Sequence, residues 1–245
     1  MIFVRLGDDG MTDERANRVL SRVRQVTSQV DDDICLRARK VNLQYAYRLA
    51  KRLADIVLAG CGLLVLSPLF LLVALAIEIE EPGGPVFFSQ MRVGTNGKLF
   101  RMYKFRSMAT DAEARLKALM AHNEVAGAMF KMKDDPRVTH VGKLIRKLSI
   151  DELPQLWNVL CGSMSLVGPR PCLPRELDQY TDYDKQRLLV KPCCTGLWQV
   201  SGRNEVGFDD MVKLDIYYIQ HRCLWADFKI MVRTVGVMVM PNAAY

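Results

Sequence analysis

From Ile56 to Ile77 the chain reads IVLAGCGLLVLSPLFLLVALAI, about 22 residues without a charge. No other feature restricts the fold as strongly. Helices buried in soluble proteins rarely stay uncharged for so long, so the run is read as a membrane segment rather than a core helix. Its N-terminal flank, LRARKVNLQYAYRLAKR (36–52), carries Arg37, Arg39, Lys40, Arg48, Lys51 and Arg52 with no acid. The positive-inside rule holds that flank in the cytoplasm. A simple span would then put everything after it outside, although that part is also basic and cysteine-bearing. Ser67-Pro68, at the middle of the run, offers a way out. Pro68 cannot donate to the carbonyl of Leu64 and its ring clashes there, so the helix kinks. Ser67 can bond backbone groups that the break releases. A sharp kink returns the chain to the face it came from, giving a re-entrant helix hairpin with both flanks cytoplasmic. A mildly kinked single span is the competing reading.

The formal charge is +7 and the pI about 9.1. That balance points to an anionic partner: nucleic acid, an anionic membrane or a phosphorylated small molecule. Seven cysteines include no CxxC pair, and His122, His140 and His221 do not recur at ligand spacing. Reduced thiols fit this pattern better than a zinc site or a disulfide framework. Charges throughout residues 1–20 argue against a cleavable signal peptide.

The chain divides into a charged extension (1–46), weakly ordered or helical, the membrane segment (47–82) and a domain (83–245). Glu81-Pro-Gly-Gly-Pro85 is a strong breaker. Val86-Phe-Phe and Leu99-Phe-Arg-Met-Tyr103 flank Thr95-Asn-Gly-Lys98, a hairpin signal. Helical patterns cover 110–125, with Thr110 as cap, and 141–148, 174–190, 208–221 and 227–240; Lys133–Arg137 reads as a turn.

Asp151 and Glu152 are two adjacent acids in a basic neighbourhood. Ser149-x-x-Glu152 matches a capping box. Alternatively Asp151 is an N-cap, with Pro154 in the first turn. Either would make the acids structural. Their surroundings suggest more. Lys143, Arg146 and Lys147 precede them, and Gly168-Pro-Arg170-Pro171 follows, with prolines aiming the arginine. Free N–H groups at a helix start attract anions, and arginine makes forked contacts with phosphate. Carboxylates tolerate a phosphate beside them if a cation intervenes, and Mg2+ takes one or two carboxylates plus phosphates. One acid could then bind metal while the other attacks phosphorus.

At this point the chain resembles a known family. The matching text is Lys51-Arg-Leu-Ala-Asp55, Ser67-Pro68, Gly84-Pro-Val-Phe-Phe-Ser-Gln90, Arg92-Val-Gly94, Tyr103-Lys-Phe-Arg-Ser-Met108, Asp135-Pro-Arg-Val-Thr139, Gly142-Lys-Leu-Ile-Arg146, Ser149-Ile-Asp-Glu-Leu-Pro-Gln155, Val167-Gly-Pro-Arg-Pro171 and Thr195-Gly-Leu-Trp-Gln-Val-Ser-Gly-Arg203. In this order the set resembles the bacterial sugar transferases, the monotopic polyprenyl-phosphate phosphoglycosyltransferases, in their small form. The resemblance implies a mainly α fold with little sheet, lying on the cytoplasmic face of a bacterial inner membrane through a re-entrant helix kinked at Ser67 and Pro68. It implies a cytosolic catalytic domain with amphipathic helices at the membrane surface. It implies transfer of a hexose-1-phosphate from a UDP-sugar to undecaprenyl phosphate with release of UMP, the first membrane step of exopolysaccharide or related glycoconjugate synthesis. Asp151 takes the nucleophile's position and Glu152 that of the Mg2+ ligand; Arg146 and Arg170 match the phosphate-binding arginines. Lys104, Arg106, Gln199, Arg203 and Asp227 are further substrate-binding candidates.

The chain departs from the family at Ser163, where an acid is common, and at Cys193, where Arg-Pro-Gly is common before Thr-Gly. The ending Met240-Pro-Asn-Ala-Ala-Tyr245 resembles that of hexose-transferring members, and so favours galactose or glucose over an acetamido sugar. Rival classes are a membrane-anchored phosphatase, a non-catalytic binder of anionic lipid and a nucleic-acid binder, the last without any interleaved aromatic–basic platform. The sequence leaves open whether the chain forms a homo-oligomer.

Overall fold

The structure is a computed structural model and describes residues 20–28, 36, 41, 44–112, 114–115, 135–202 and 206–239. Two helices dominate its apolar part, α1 (Tyr45–Val65) and α2 (Ser67–Glu80). They meet at Leu66 with a bend of 57°. The break has the cause expected from Ser67-Pro68. Pro68 has no N–H for Leu64, and the Ser67 hydroxyl donates to the Leu64 carbonyl instead, at 2.8 Å. No single described helix is long and apolar enough to cross a membrane; the bent pair together meets that test.

A β-hairpin follows: β1 (Phe87–Val93) and β2 (Leu99–Phe105). They pair antiparallel from Phe87↔Phe105 to Val93↔Leu99. The strands extend beyond the expected residues, because the apolar alternation continues inward through Val93, Met102 and Phe105. At the turn Asn96 and Gly97 both have positive φ, 55° and 78°, which accounts for the Asn-Gly pair.

Helix α3 (His140–Lys147), a 3-10 turn (Ile150–Glu152) and α4 (Gln155–Cys161) come next. Neither capping reading of the acids holds. Ser149 is left-handed (φ 56°) with no side-chain cap bond, and α4 is preceded by Pro154, again without a side-chain cap. Strands β3 (Ser165–Val167) and β4 (Cys193–Thr195) form a short parallel pair.

The single helix expected over 174–190 is instead three pieces: α5 (Pro174–Leu177), α6 (Asp182–Lys185) and a 3-10 turn (Gln186–Leu189). Thr181 and Asp184 explain the interruption. They form a reciprocal capping box, with Thr181 Oγ1 accepting from Asp184 N and Asp184 Oδ2 accepting from Thr181 N. Helices α7 (Leu197–Ser201), α8 (Phe208–His221) and α9 (Leu224–Val239) complete the chain. The last begins three residues before the expected Asp227. In the N-terminal extension, residues 20–27 are helical and Val23 is buried. Most of the helix expected over 110–125 lies outside the described residues.

The two limbs of the bent pair pack on different parts of the domain. Ala59 of α1 shares a core with Met102, Val159 and Met164. Val73 and Ile77 of α2 pack with Phe105 and Ile145. Thus α1 docks against α4 and α2 against α3, the helices on either side of the 3-10 turn that carries Asp151 and Glu152. Polar clasps secure the limbs. Lys51 donates to Asp227 at 2.8 Å, Arg52 donates to the Val159 and Leu160 carbonyls at the end of α4, and Asp55 accepts from Leu166 N. At the far end Glu80 accepts from the first N–H groups of α3, His140 and Val141. Facing away from the domain, Leu53, Val57, Leu64, Val65, Leu71, Leu72 and Ile79 are more than half exposed.

Candidate active site

Residues from three elements meet at the turn after α3. Asp151 is buried, at 8% exposure, because β2 packs over the turn. Burial pushes its carboxyl up to about 6; Lys104 opposes this, the Glu152 charge adds to it, and Arg146 opposes it. It is therefore mainly ionised at neutral pH. Glu152 points outward and accepts a bond from Lys104 Nζ, on β2, at 2.6 Å. Arg146, in the last turn of α3, makes no ion pair within 4 Å among the described residues and exerts its charge on Asp151. The left-handed Ser149 lets the chain turn back within four residues, which brings Arg146 and Asp151 to one place. Thus Lys104, distant in sequence, joins Arg146, Asp151 and Glu152 in one group.

Arg170 lies on the β3–α5 loop. Its guanidinium lies over the Trp198 ring, 5.9 Å from the centroid. Arg92, on β1, feels the charges of both Arg170 and Glu152. Burial and then Arg170 lower it to about 10, and it remains a cation. The loop lies close to the start of α7 because of Gly196, where a Cβ would fall 2.1 Å from the Gly168 carbonyl; no larger residue fits. Gln199, on α7, has a buried Oε1 without a hydrogen-bond partner among the described residues.

The other candidates are placed differently. Asp227 is fully engaged in the clasp that holds α1: it accepts from Tyr47 at 2.9 Å, Lys51 at 2.8 Å and Tyr218 at 2.6 Å. Arg106 donates to the Glu81 carbonyl at 2.6 Å, tying the end of β2 to the end of α2. Arg203 lies outside the described residues. Two features were passed over in the sequence: Arg92, quoted only as part of a motif, and the buried Arg187–Asp215 pair at 2.7 Å. The period-two pattern of β1 sets Arg92 beside Gln90, to which it donates at 2.8 Å, and this was the readable signal.

The donor set suits Mg2+. No group of three or more His, Cys, Asp or Glu that could hold a metal exists among the described residues, so no all-protein cage forms there. Mg2+ needs none, since it binds one or two carboxylates and completes its shell with phosphate and water. Glu152, whose side chain is 45% exposed, offers a hard oxygen beside Asp151.

The family model described as "Bacterial sugar transferase" matches residues 46–241. The chain is 50% identical over 202 residues to the galactosyl transferase CpsE of Streptococcus agalactiae, covering 82% of this chain and 44% of that protein. It is 46% identical to the undecaprenyl-phosphate galactose phosphotransferase of Salmonella typhimurium, covering 81% and 42%. It is 40% identical to the exopolysaccharide production protein ExoY of Sinorhizobium fredii, covering 80% and 88%. The chain thus spans under half the length of the first two and most of the third. The match runs from the bent helix pair through the acid turn and the arginine loop to α9, and so includes every element that builds the site. The chain belongs to the bacterial sugar transferase family.

Proposed function

We propose that the chain transfers a hexose-1-phosphate from a UDP-sugar to undecaprenyl phosphate, in two steps through Asp151. The observation that carries the reading is the pairing of a buried, ionised Asp151 with two cations, Lys104 and Arg146, beside the outward-facing Glu152. A buried carboxylate has shed much of its hydration and is a better nucleophile than one in water. In the first step an Asp151 oxygen attacks the phosphorus that bears the sugar. An O–P bond forms, the bond to the bridging oxygen breaks, and UMP leaves with that oxygen and its electron pair. In the second step a phosphate oxygen of the lipid attacks the same phosphorus. The Asp151–phosphorus ester breaks and the carboxylate is restored. Arg146 and Arg170 bind diphosphate oxygens, Arg170 by its planar fork. Lys104 holds Glu152 in place and adds positive charge near the leaving group. Glu152, with Asp151 beside it, would hold Mg2+, which would neutralise charge developing on the diphosphate.

The bent helix supports a monotopic placement at the cytoplasmic face of the inner membrane. The apolar part of each limb is about 15 Å long. With a bend of 57° and symmetric limbs, its apex reaches roughly 7 Å into the bilayer, far short of a hydrocarbon core of about 30 Å. On α9, Leu224, Trp225, Phe228, Val232 and Val235 are exposed along one stripe, suited to the interface. A lipid phosphate at that level can meet Asp151, which lies between the helices that carry the two limbs.

Galactose and glucose are the favoured hexoses. The ending that favours them over acetamido sugars lies outside the described residues; three relatives are named for galactose and one for N-acetylgalactosamine. A donor panel tests the function: protein in nanodiscs with undecaprenyl phosphate, Mg2+ and UDP-galactose, UDP-glucose or an acetamido UDP-sugar. UMP release with a lipid-linked diphosphate product is expected. Free sugar phosphate would reveal a phosphatase, and no release from any donor would reject the reading.

A further inference from the structure

Five successive carbonyls of the Gly168–Cys172 loop each receive a donor. Cys193 Sγ donates to Gly168 O, and Cys193 N donates to Pro169 O at 2.9 Å. Arg187 Nη2 donates to Arg170 O at 3.4 Å, and Arg92 Nη1 to Pro171 O at 3.2 Å. Val93 N donates to Cys172 O at 2.9 Å. Pro169 and Pro171 have no N–H, which leaves the loop fewer donors of its own. Its shape is imposed from outside.

Two of these donors are buried guanidiniums. Arg187 is 3% exposed and Asp215 is 0%. Arg187 meets Asp215 through Nε at 2.8 Å and Nη2 at 2.7 Å, and gives Nη1 to the Tyr180 hydroxyl at 2.8 Å. So buried an ion pair is poorly explained as a source of stability, because desolvation cancels much of the attraction. Fixing a geometry explains it better. The group at the centre of the loop is the opposite case. The Arg170 side chain has no ion pair within 4 Å among the described residues; it rests over Trp198, and its charge acts on Arg92 and Asp215.

We propose that Arg187, oriented by Asp215, and Arg92 are positioning residues. They grip the backbone carbonyls on and beside Arg170, so that its guanidinium fork is preset for the phosphate oxygens of the sugar nucleotide. This rests on the reading of Arg170 as a phosphate-binding residue. Arg187 touches no substrate in this scheme and acts through Arg170. A lysine at 187 keeps the charge beside Asp215, but a single ammonium lacks the planar fork that reaches Asp215, Tyr180 and the Arg170 carbonyl together.

A double-mutant cycle tests it. Wild type, Arg187→Lys, Arg170→Lys and the double variant are assayed in nanodiscs with UDP-galactose and undecaprenyl phosphate, each also followed by thermal unfolding. Arg187→Lys is expected to lower kcat/KM about tenfold, because a misaimed binding group forfeits orientation. Arg170→Lys is expected to lose at least as much. The double variant should fall within about twofold of Arg170→Lys alone, since a positioning residue has no effect once the group it positions is gone. Losses that multiply would overturn the proposal while leaving Arg170 as a binding residue. Full activity of Arg170→Lys would instead defeat the phosphate-binding reading, and the proposal with it. Should Arg187→Lys not fold, Arg92→Lys is run through the same cycle and judged by the same outcomes, because it grips the adjacent carbonyl.

Discussion

Replacing Asp151 by asparagine should remove the activity and stabilise the protein. Asp151 is 8% exposed, and burial raises its carboxyl to about 6 against an ordinary 3.8. The raised value means that the folded state holds the proton more tightly than the unfolded state. As pH rises from 3.8 through 6 the unfolded chain releases this proton first, so stability falls across that window and is lowest above it. At pH 7.5 the ionised Asp151 costs about 3 kcal/mol, from about two pK units at about 1.4 kcal/mol each. At pH 4.5 the same arithmetic leaves about 1 kcal/mol. Asparagine has nearly the same shape and no charge, so it avoids the cost at both. For a chain of this size about 3 kcal/mol corresponds to a rise in Tm of roughly 6 °C or more. Thermal unfolding in nanodiscs, at pH 7.5 and 4.5, measures the gap between variant and wild type. It should be several degrees at pH 7.5 and should shrink at pH 4.5. An Asp151→Asn protein that is no more stable at pH 7.5, or a gap that ignores pH, would refute the reasoning. An active Asp151→Asn protein would refute the nucleophile.

Further predictions concern the neighbouring acid, the bend and a cap. Glu152→Gln should raise the Mg2+ concentration needed for half-maximal rate, with part of the lost rate recovered at high Mg2+ in a titration; an unchanged Mg2+ response would remove Glu152 as a ligand. Wild-type activity should decline as pH drops below about 6, because Asp151 becomes protonated, and a pH–rate profile at saturating Mg2+ checks this. Pro68→Ala restores an N–H facing the Leu64 carbonyl, so the helix should straighten. A cysteine introduced at Ser28, in a variant without native cysteines, should then become labelled from outside intact cells in part of the population. Thr181→Ala should cost about 1 kcal/mol by chemical denaturation, through the lost cap on Asp184 N.

Much of this molecule was legible in the sequence where one residue has one physical consequence. Pro68 lacks an N–H, and the helix breaks there with Ser67 on the very carbonyl released. Asn96-Gly97 adopts the positive φ values that few other residues tolerate. What was not legible depended on partners distant in sequence. Lys51 and Arg52 read as a basic flank beside a membrane, yet each has a fixed partner in the domain, Asp227 and the end of α4. Asp227, a binding candidate, is taken up in that same clasp. The break at Thr181 could have been read, since Thr-x-x-Asp is a reciprocal cap, but the apolar periodicity of 174–190 concealed it. The parallel β3–β4 pair had no such signal: each strand has three residues, and only the distant partner defines them. The acid pair was found, and neither capping alternative weighed for it holds, because Ser149 turns left-handed without a side-chain cap bond and α4 is preceded by Pro154.

The covalent step through Asp151 is the central claim, and UMP release in the absence of lipid acceptor tests it most directly. Purified protein is mixed rapidly with UDP-galactose and Mg2+ without undecaprenyl phosphate, and UMP is counted against active protein. A burst of at most one UMP per chain is expected, accompanied by a hexose-phosphate mass on the peptide that contains Asp151 and absent from Asp151→Asn. UMP that appears only when donor and acceptor are both present, with no added mass on that peptide, would contradict it.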